Sequence, residues 1–423
     1  MNKNVLFCAI VSVSTLIVTE ESFSLLYTFY VRSRIQHVNV DSTKLKPDDQ
    51  SYRTLQSFFH PEKNGNPFFY YDQELGWKSG PNVVFRGTNT KNEPWAYKTD
   101  PKTARQDLIN TGNAVIGAFG DSFTLGAEVN DNQAWNYFFE MFSGVDVDNF
   151  GVGGYGTFQS VLRMEREIKR HNYKILVLGI YSENINRVFN TFQPFYLGHP
   201  LGFKPYVHVK DGVAFARPPV INLSQYDNAS GRRPDNYATI FQDINRAIDA
   251  AAVEDLHVNF TVPIQFPFAL SAYDAFLVGR IGNHLEKADY LWRTKNGQIA
   301  MRYVLSRFVR TAKATGAFPV VMIFPDVFQS TRLTRNPSYV AGYQRFLAEI
   351  KKEGEFESLV IVDGLTLDID QKRFHVAGLK VECHASRYAN KEMAYRLAAE
   401  LRNAGQLNFV NTELYEKNDD RTP

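Results

Sequence analysis

The rhythm of apolar and polar positions changes several times along this chain. An apolar run extends from Val5 to Val18, and a second from Phe23 to Val31, with Thr19, Glu20 and Glu21 between them. Residues 37–65 are polar, contain Lys44-Leu45-Lys46-Pro47-Asp48-Asp49, and read as a stalk or linker. From Asn113 the pattern alternates between strand and helix periods. It predicts strands at Asn113–Phe119, Val145–Asn149 and Lys174–Tyr181, with helices at Asn132–Met141 and Thr157–Arg170 between them. Alternation lapses from about Phe189 to Gly297, where Pro, Gly and aromatic residues dominate. Within that stretch, Lys210-Asp211-Gly212 turns a hairpin between Pro205–Val209 and Val213–Ala216. It then resumes with a helix at Ile299–Thr315, a strand at Pro319–Phe324, a helix at Ser338–Lys352, a strand at Leu359–Asp363 and a helix at Asn390–Arg402. Five strands alternating with helices imply an α/β fold with a parallel sheet covered on both faces. The long insertion after the third strand would then stand above one end of the sheet.

The first apolar run, as a helix, is about 21 Å long at 1.5 Å per residue, short of a ~30 Å hydrocarbon core. Extending it to Val31 places two carboxylates in the span, each costing roughly 2.5–3.5 kcal/mol near a helix centre. The expectation is a single N-terminal transmembrane helix from about Met1 to Thr19, with Glu20 and Glu21 at the far interface. The rival reading is a cleavable signal, with Lys3 before the apolar run and Ser22-Phe23-Ser24 as the processing site. The expected organisation is a membrane anchor over 1–34, a stalk and extension over 35–110, a catalytic domain over 111–410 with its insertion at about 189–297, and a polar tail over 411–423.

Composition narrows the function classes. With 423 residues there is enough chain for a large core, and 22% charged residues is ordinary for a folded protein. Lys and Arg total 47 against 45 Asp and Glu, so global charge gives no reason to expect a nucleic-acid partner. Only Cys8 and Cys383 are present, which excludes a disulfide scaffold and an all-cysteine zinc site. The two fall at separate sites and are not expected to pair.

The chemistry gathers at strand ends. Gly120-Asp121-Ser122 follows the first strand directly and sets Ser122 at the carboxyl end of the sheet, where open α/β folds bind ligands. The plainer alternative is a serine that merely starts a helix. The second strand runs into Gly151-Val152-Gly153-Gly154-Tyr155-Gly156, and the third into Ser182-Glu183-Asn184. In a sheet of order 2-1-3-4-5 these strands flank the first, so Gly154, Ser122 and Asn184 would meet. Two N–H groups and an amide there are the parts of an oxyanion hole. His384, after the fifth strand, is placed to take the serine proton, and Glu382 to orient its ring. Asp121 is expected to support the turn.

These residues resemble the SGNH/GDSL hydrolases. Ser122 in the Gly-Asp-Ser block matches the nucleophile of that family, Gly154 the second-block glycine, Asn184 the third-block asparagine and His384 the fifth-block histidine. The resemblance covers about Asn113 to Arg402, without the insertion. Tyr71-Asp72-Gln73-Glu74-Leu75-Gly76-Trp77 looks like the stretch preceding the domain in membrane-anchored bacterial members. The family implies a flavodoxin-like three-layer sandwich, ester hydrolysis or acyl transfer, and neither metal nor cofactor. Three positions depart from its pattern. Ile185 follows Asn184 where the family has aspartate, Val381 stands where the orienting acid usually lies, and Ala385 replaces the proline after the histidine.

The function expected from these readings is a serine esterase or O-acyltransferase acting on a small-molecule or carbohydrate ester. It would be anchored through the N-terminal helix, with the domain in the periplasm or exterior. Two rivals stand beside it. One is a non-catalytic binding or assembly subunit on the same fold. The other is a dinucleotide site, because Gly151–Gly156 matches G-x-G-x-x-G, although that reading leaves Ser122 and His384 unexplained.

Overall fold

The computed structural model of the chain describes residues 38–64, 69–106, 108–196, 198–228, 234–256, 258–259, 284–379 and 383–417. Its centre is a five-stranded parallel sheet of β1 (Ile116–Phe119), β2 (Val147–Asn149), β3 (Ile175–Tyr181), β4 (Phe318–Phe324) and β5 (Val360–Asp363). The strands lie in the order 2-1-3-4-5. β3 is buried at all seven positions, as its unbroken Ile-Leu-Val-Leu-Gly-Ile-Tyr run requires of a parallel strand covered on both faces.

Alternate residues of β3 point to opposite layers. Leu176, Leu178 and Ile180 join a core with α3 (Thr157–Glu167) and α4 (Lys295–Ala314). Ile175, Val177 and Tyr181 join a second core with α2 (Trp135–Ser143) and α5 (Arg387–Asn403). The result is a helix–sheet–helix arrangement consistent with the flavodoxin-like sandwich.

Several boundaries differ from the sequence expectation, each for a capping reason. α2 begins at Trp135 because Asn130 and Gln133 close a short 3-10 turn ahead of it. α4 begins four residues earlier than expected, where the Thr294 hydroxyl accepts from the Gly297 N–H. α5 begins at Arg387 because Ser386 caps it.

Elements also appear where none was expected. Asp49–Phe59, within the polar stretch read as a stalk, is a helix capped by Asp48, and it buries Tyr52, Leu55 and Phe58. Their spacing of three marks one helical stripe on an otherwise polar segment. Tyr237–Glu254 is an 18-residue helix inside the insertion. Both helices share a third core with Trp77, Tyr155, Phe192 and Phe203. The aromatic residues of the insertion therefore bind it to the N-terminal extension.

Among the described residues no helix is long and apolar enough to cross a membrane. The expected anchor over residues 1–34 and Cys8 lie outside the described residues.

Candidate active site

β1 ends in Gly120, and the chain turns at once into α1 (Ser122–Leu125). A side chain at Gly120 would place its Cβ 1.9 Å from Thr124 Oγ1 and 2.7 Å from the Gly179 carbonyl, so only glycine fits this crossing of β1, β3 and α1. Asp121 caps α1, its Oδ1 accepting from the Phe123 N–H at 2.9 Å. Gly126 ends the helix with φ +76°, a left-handed conformation that glycine adopts without strain.

A four-residue helix leaves its carbonyls without partners inside the helix. The N–H groups of Gly126 and Ala127 take those of Phe123 and Ser122, and side chains take the other two. The Thr124 carbonyl accepts from Trp135 Nε1 at 2.6 Å and from Asn149 Nδ2 at 2.8 Å. The fully buried Arg105 donates to the carbonyls of Leu125, Gly126 and Val129. Ser122 is thus set on a short turn that is fastened on every side.

The turn meets His384. His384 Nε2 lies 2.8 Å from Ser122 Oγ. The loop carrying His384 closes by an antiparallel bridge between His375 and Ala385. The Val376 N–H donates to the His384 carbonyl at 3.0 Å, and the Ala377 N–H to Cys383 Sγ at 3.1 Å. The Phe123 ring packs beside the imidazole with centroids 5.0 Å apart.

Glu382, expected to orient that imidazole, lies outside the described residues. Another carboxylate occupies the orienting side. Glu128 Oε2 is 3.4 Å from His384 Nδ1, an ion-pair distance just beyond a formed hydrogen bond, and is also reached by the His384 backbone N–H at 3.4 Å. Burial works to raise the Glu128 pKa, but its contacts with the His384 ring and backbone N–H outweigh this and hold the carboxyl below its ordinary value. Glu128 has φ +64°, an uncommon conformation for a residue with a side chain. Arg105, which grips the carbonyls on both sides of it, supplies the restraint.

Of the expected oxyanion groups, Asn184 bonds to the serine turn directly, and the loop carrying Gly154 runs alongside it. The Val152 N–H donates to the Gly120 carbonyl, so the loop after β2 runs alongside the turn. Gly151 sits against Leu125, where a Cβ would be 2.2 Å from the backbone nitrogen. Gly154 has φ +77°, and its loop is braced from outside by Trp77, whose Nε1 donates to the Gly153 carbonyl at 3.0 Å. Among the described residues the Ser122 and Gly154 N–H groups donate to no backbone carbonyl. Asn184 Nδ2 donates to Asp121 Oδ2 at 3.0 Å. One Asn184 amide hydrogen is therefore committed to the turn, and the other has no partner among the described residues.

Behind these groups lies a buried ion cluster. Arg187 sits 3.7 Å from Asp121 and 3.2 Å from Glu183. Burial pushes the Asp121 pKa upward, and Arg187 and the Asn184 amide oppose it. Asp121 is committed to Phe123 and Asn184, which fits a supporting role for the turn.

Glu128 and Arg105 are the two residues that sequence reasoning missed. Glu128 carried a usable signal. It stands six residues after Ser122, just beyond the glycine that ends α1. No group of three metal-ligating side chains occurs among the described residues. In comparisons with known proteins, the chain matches no family model, and no curated protein matches it significantly.

Proposed function

We propose that this protein is a serine esterase or O-acyltransferase of the SGNH type, working through an acyl-enzyme on Ser122. The observation that carries the reading is the 2.8 Å contact between Ser122 Oγ and His384 Nε2, with Glu128 on the opposite side of the ring. In the neutral tautomer, Nδ1–H faces Glu128 and leaves the Nε2 lone pair for the serine proton.

In the first step Ser122 Oγ bonds to the acyl carbon of an ester while its proton passes to His384 Nε2. The carbonyl oxygen becomes an oxyanion, held by the N–H groups of Ser122 and Gly154 and by the uncommitted Asn184 amide hydrogen. The bond to the leaving alkoxy oxygen then breaks, and that oxygen takes the proton from His384. Water or an acceptor hydroxyl next gives its proton to His384 and bonds to the acyl carbon; the bond from that carbon to Ser122 Oγ then breaks, and Oγ takes the proton back from His384. Hydrolysis and transfer use the same protein groups and differ in the acceptor.

Ser122 and His384 out of reach of each other would have favoured the rival reading of a non-catalytic subunit, and the 2.8 Å contact supports catalysis. The proposal includes the N-terminal anchor and a periplasmic or external domain, carried by the apolar run at Val5–Val18.

Labelling with a fluorophosphonate tests it. Wild type is expected to label, and Ser122→Ala and His384→Ala to lose the signal. Equal labelling of all three proteins, or none in folded wild type, would sink the proposal.

A further inference from the structure

The three groups assigned to the oxyanion come from three separate loops. Ser122 follows β1, Gly154 follows β2 and Asn184 follows β3. An oxyanion hole works because its donors are fixed before the charge develops, and a misplacement of about 1 Å costs roughly 10² in rate. The sheet sets where these loops begin, and their far sides need a separate restraint.

One side chain reaches all three. Arg187 lies on the short helix Ile185–Phe189. Its Nη2 is 3.2 Å from Glu183 Oε2, and its Nη1 donates to the Tyr155 carbonyl at 3.2 Å. The same Nη1 is 3.7 Å from Asp121 Oδ2. Each partner is the chain neighbour of a proposed donor: Asp121 precedes Ser122, Tyr155 follows Gly154, and Glu183 precedes Asn184. The contact to Asp121 goes further, because Asp121 Oδ2 is also the atom that accepts from Asn184 Nδ2 at 3.0 Å. The guanidinium therefore faces the carboxylate oxygen that fixes one amide hydrogen of Asn184.

The arginine is itself held. Its side chain is 11% exposed, and those of Asp121 and Glu183 are fully buried. Lys204, from the insertion, donates from Nζ to the Arg187 carbonyl at 2.6 Å. A Cβ at Gly156 would stand 2.9 Å from the same carbonyl oxygen, so the loop after β2 packs on the backbone of Arg187 as well as on its side chain. Balancing two buried carboxylates accounts for the contacts to Asp121 and Glu183 and leaves the one to Tyr155 unexplained. A guanidinium presents five N–H groups in a fixed plane and can serve several acceptors at once, which the point charge of a lysine does poorly.

We propose that Arg187 is a positioning residue of this site. Acting through Asp121, Tyr155 and Glu183, it holds the loops of Ser122, Gly154 and Asn184 in register so that their donors converge on one oxyanion. The inference rests on the acyl-transfer reading above.

Arg187→Met and Arg187→Lys in the full chain test it, read by ester kinetics and by backbone hydrogen exchange. Arg187→Met leaves buried carboxylates without their cation and is the more severe change. Arg187→Lys keeps the charge, loses the fork, and carries the test where the methionine protein does not fold. kcat should fall about 10²-fold in Arg187→Met and less in Arg187→Lys, with KM little changed. Adding Asn184→Ala should cost less than the product of the two single losses, because both changes disable the same hole. Peptides covering Gly120–Gly126 and Gly151–Gly156 should exchange faster than in wild type. Unchanged kcat in every variant that folds, a raised KM with unchanged kcat, losses that simply multiply, or unchanged exchange in both peptides would each overturn the proposal. Exchange involves no reaction at Ser122. Faster exchange in the variants of a chain whose wild type turns over no ester would therefore count against the acyl-transfer reading alone. Wild-type turnover that the Arg187 variants retain in full would count against this inference alone.

Discussion

The serine turn and the histidine loop hold the two halves of one hydrogen bond by opposite means. Ser122 sits on a turn of four helical residues whose last two carbonyls are taken up by Trp135, Asn149 and Arg105. His384 sits on a loop closed mainly by its own backbone, through the His375–Ala385 bridge and the Val376 contact. The turn belongs to the sheet, because Gly120 fits between β1, β3 and α1 only without a side chain. The loop meets the sheet end through Phe123, which packs on His375 and His384, and through Glu128, which comes from the serine's own side of the site. The proposed nucleophile is thus built in by the fold, and the proposed base meets it through contacts with Ser122, Phe123 and Glu128.

That difference can be broken from the loop side first. His384→Ala should lower ester turnover by about 10²–10⁴, the usual weight of a general base. Its melting temperature should stay close to wild type, because the ring is partly exposed and the loop is closed by backbone. Thermal melting beside a chromogenic ester assay reads both.

Asn184→Ala should cost about 10²–10³ in turnover through loss of an oxyanion donor. Its substrate KM should move little. A rise in KM with unchanged kcat would assign Asn184 to ground-state binding instead.

Gly120→Ala works on the turn and should act on folding. The added methyl overlaps backbone as well as Thr124, so a loss of about 1–3 kcal/mol of stability is expected. Denaturant unfolding measures it, and a neutral result would show the turn to be more adaptable than its packing implies.

Glu128→Gln should have the smallest effect, about tenfold in turnover, the order of one hydrogen bond to a charged group. It also carries a pH signature. The Glu128 pKa is lowered in the folded protein, so its support is fully present above the ordinary carboxylate range. That support is lost as pH falls through the lowered value. Both proteins should lose activity at acid pH as His384 takes up a proton; wild type alone should show a further loss at lower pH as Glu128 is protonated, and a kcat/KM profile from pH 3 to 8 checks it.

The sheet and the nucleophile turn were legible because each rests on local pattern. β3 is one apolar run, and Gly120-Asp121-Ser122 follows its strand directly. Glu128 was harder to read because orientation of the base depends on how two distant loops meet, and sequence distance to His384 says nothing about that. The expectation of Glu382, which lies outside the described residues, rested on its place two residues before His384, one off the family's usual acid position. The helix at Tyr237–Glu254 shows a different failure. Ile240, Ile244, Ile248 and Ala251 carry a clear helical period, but the surrounding Pro, Gly and aromatic residues set the reading of the whole stretch. Asp49–Phe59 was hidden because a three-residue stripe stands out little against polar neighbours. Its burial depends on an insertion that arrives well over a hundred residues later.

The most direct test of the central claim is to trap the acyl-enzyme. Wild-type protein is mixed with an activated acetyl ester, quenched in acid and examined by intact mass and peptide mapping. A single acetyl group on the peptide containing Ser122 is expected, absent in Ser122→Ala and strongly reduced in His384→Ala. Acetylation spread over surface lysines, or carried equally by the Ser122→Ala chain, would contradict the account.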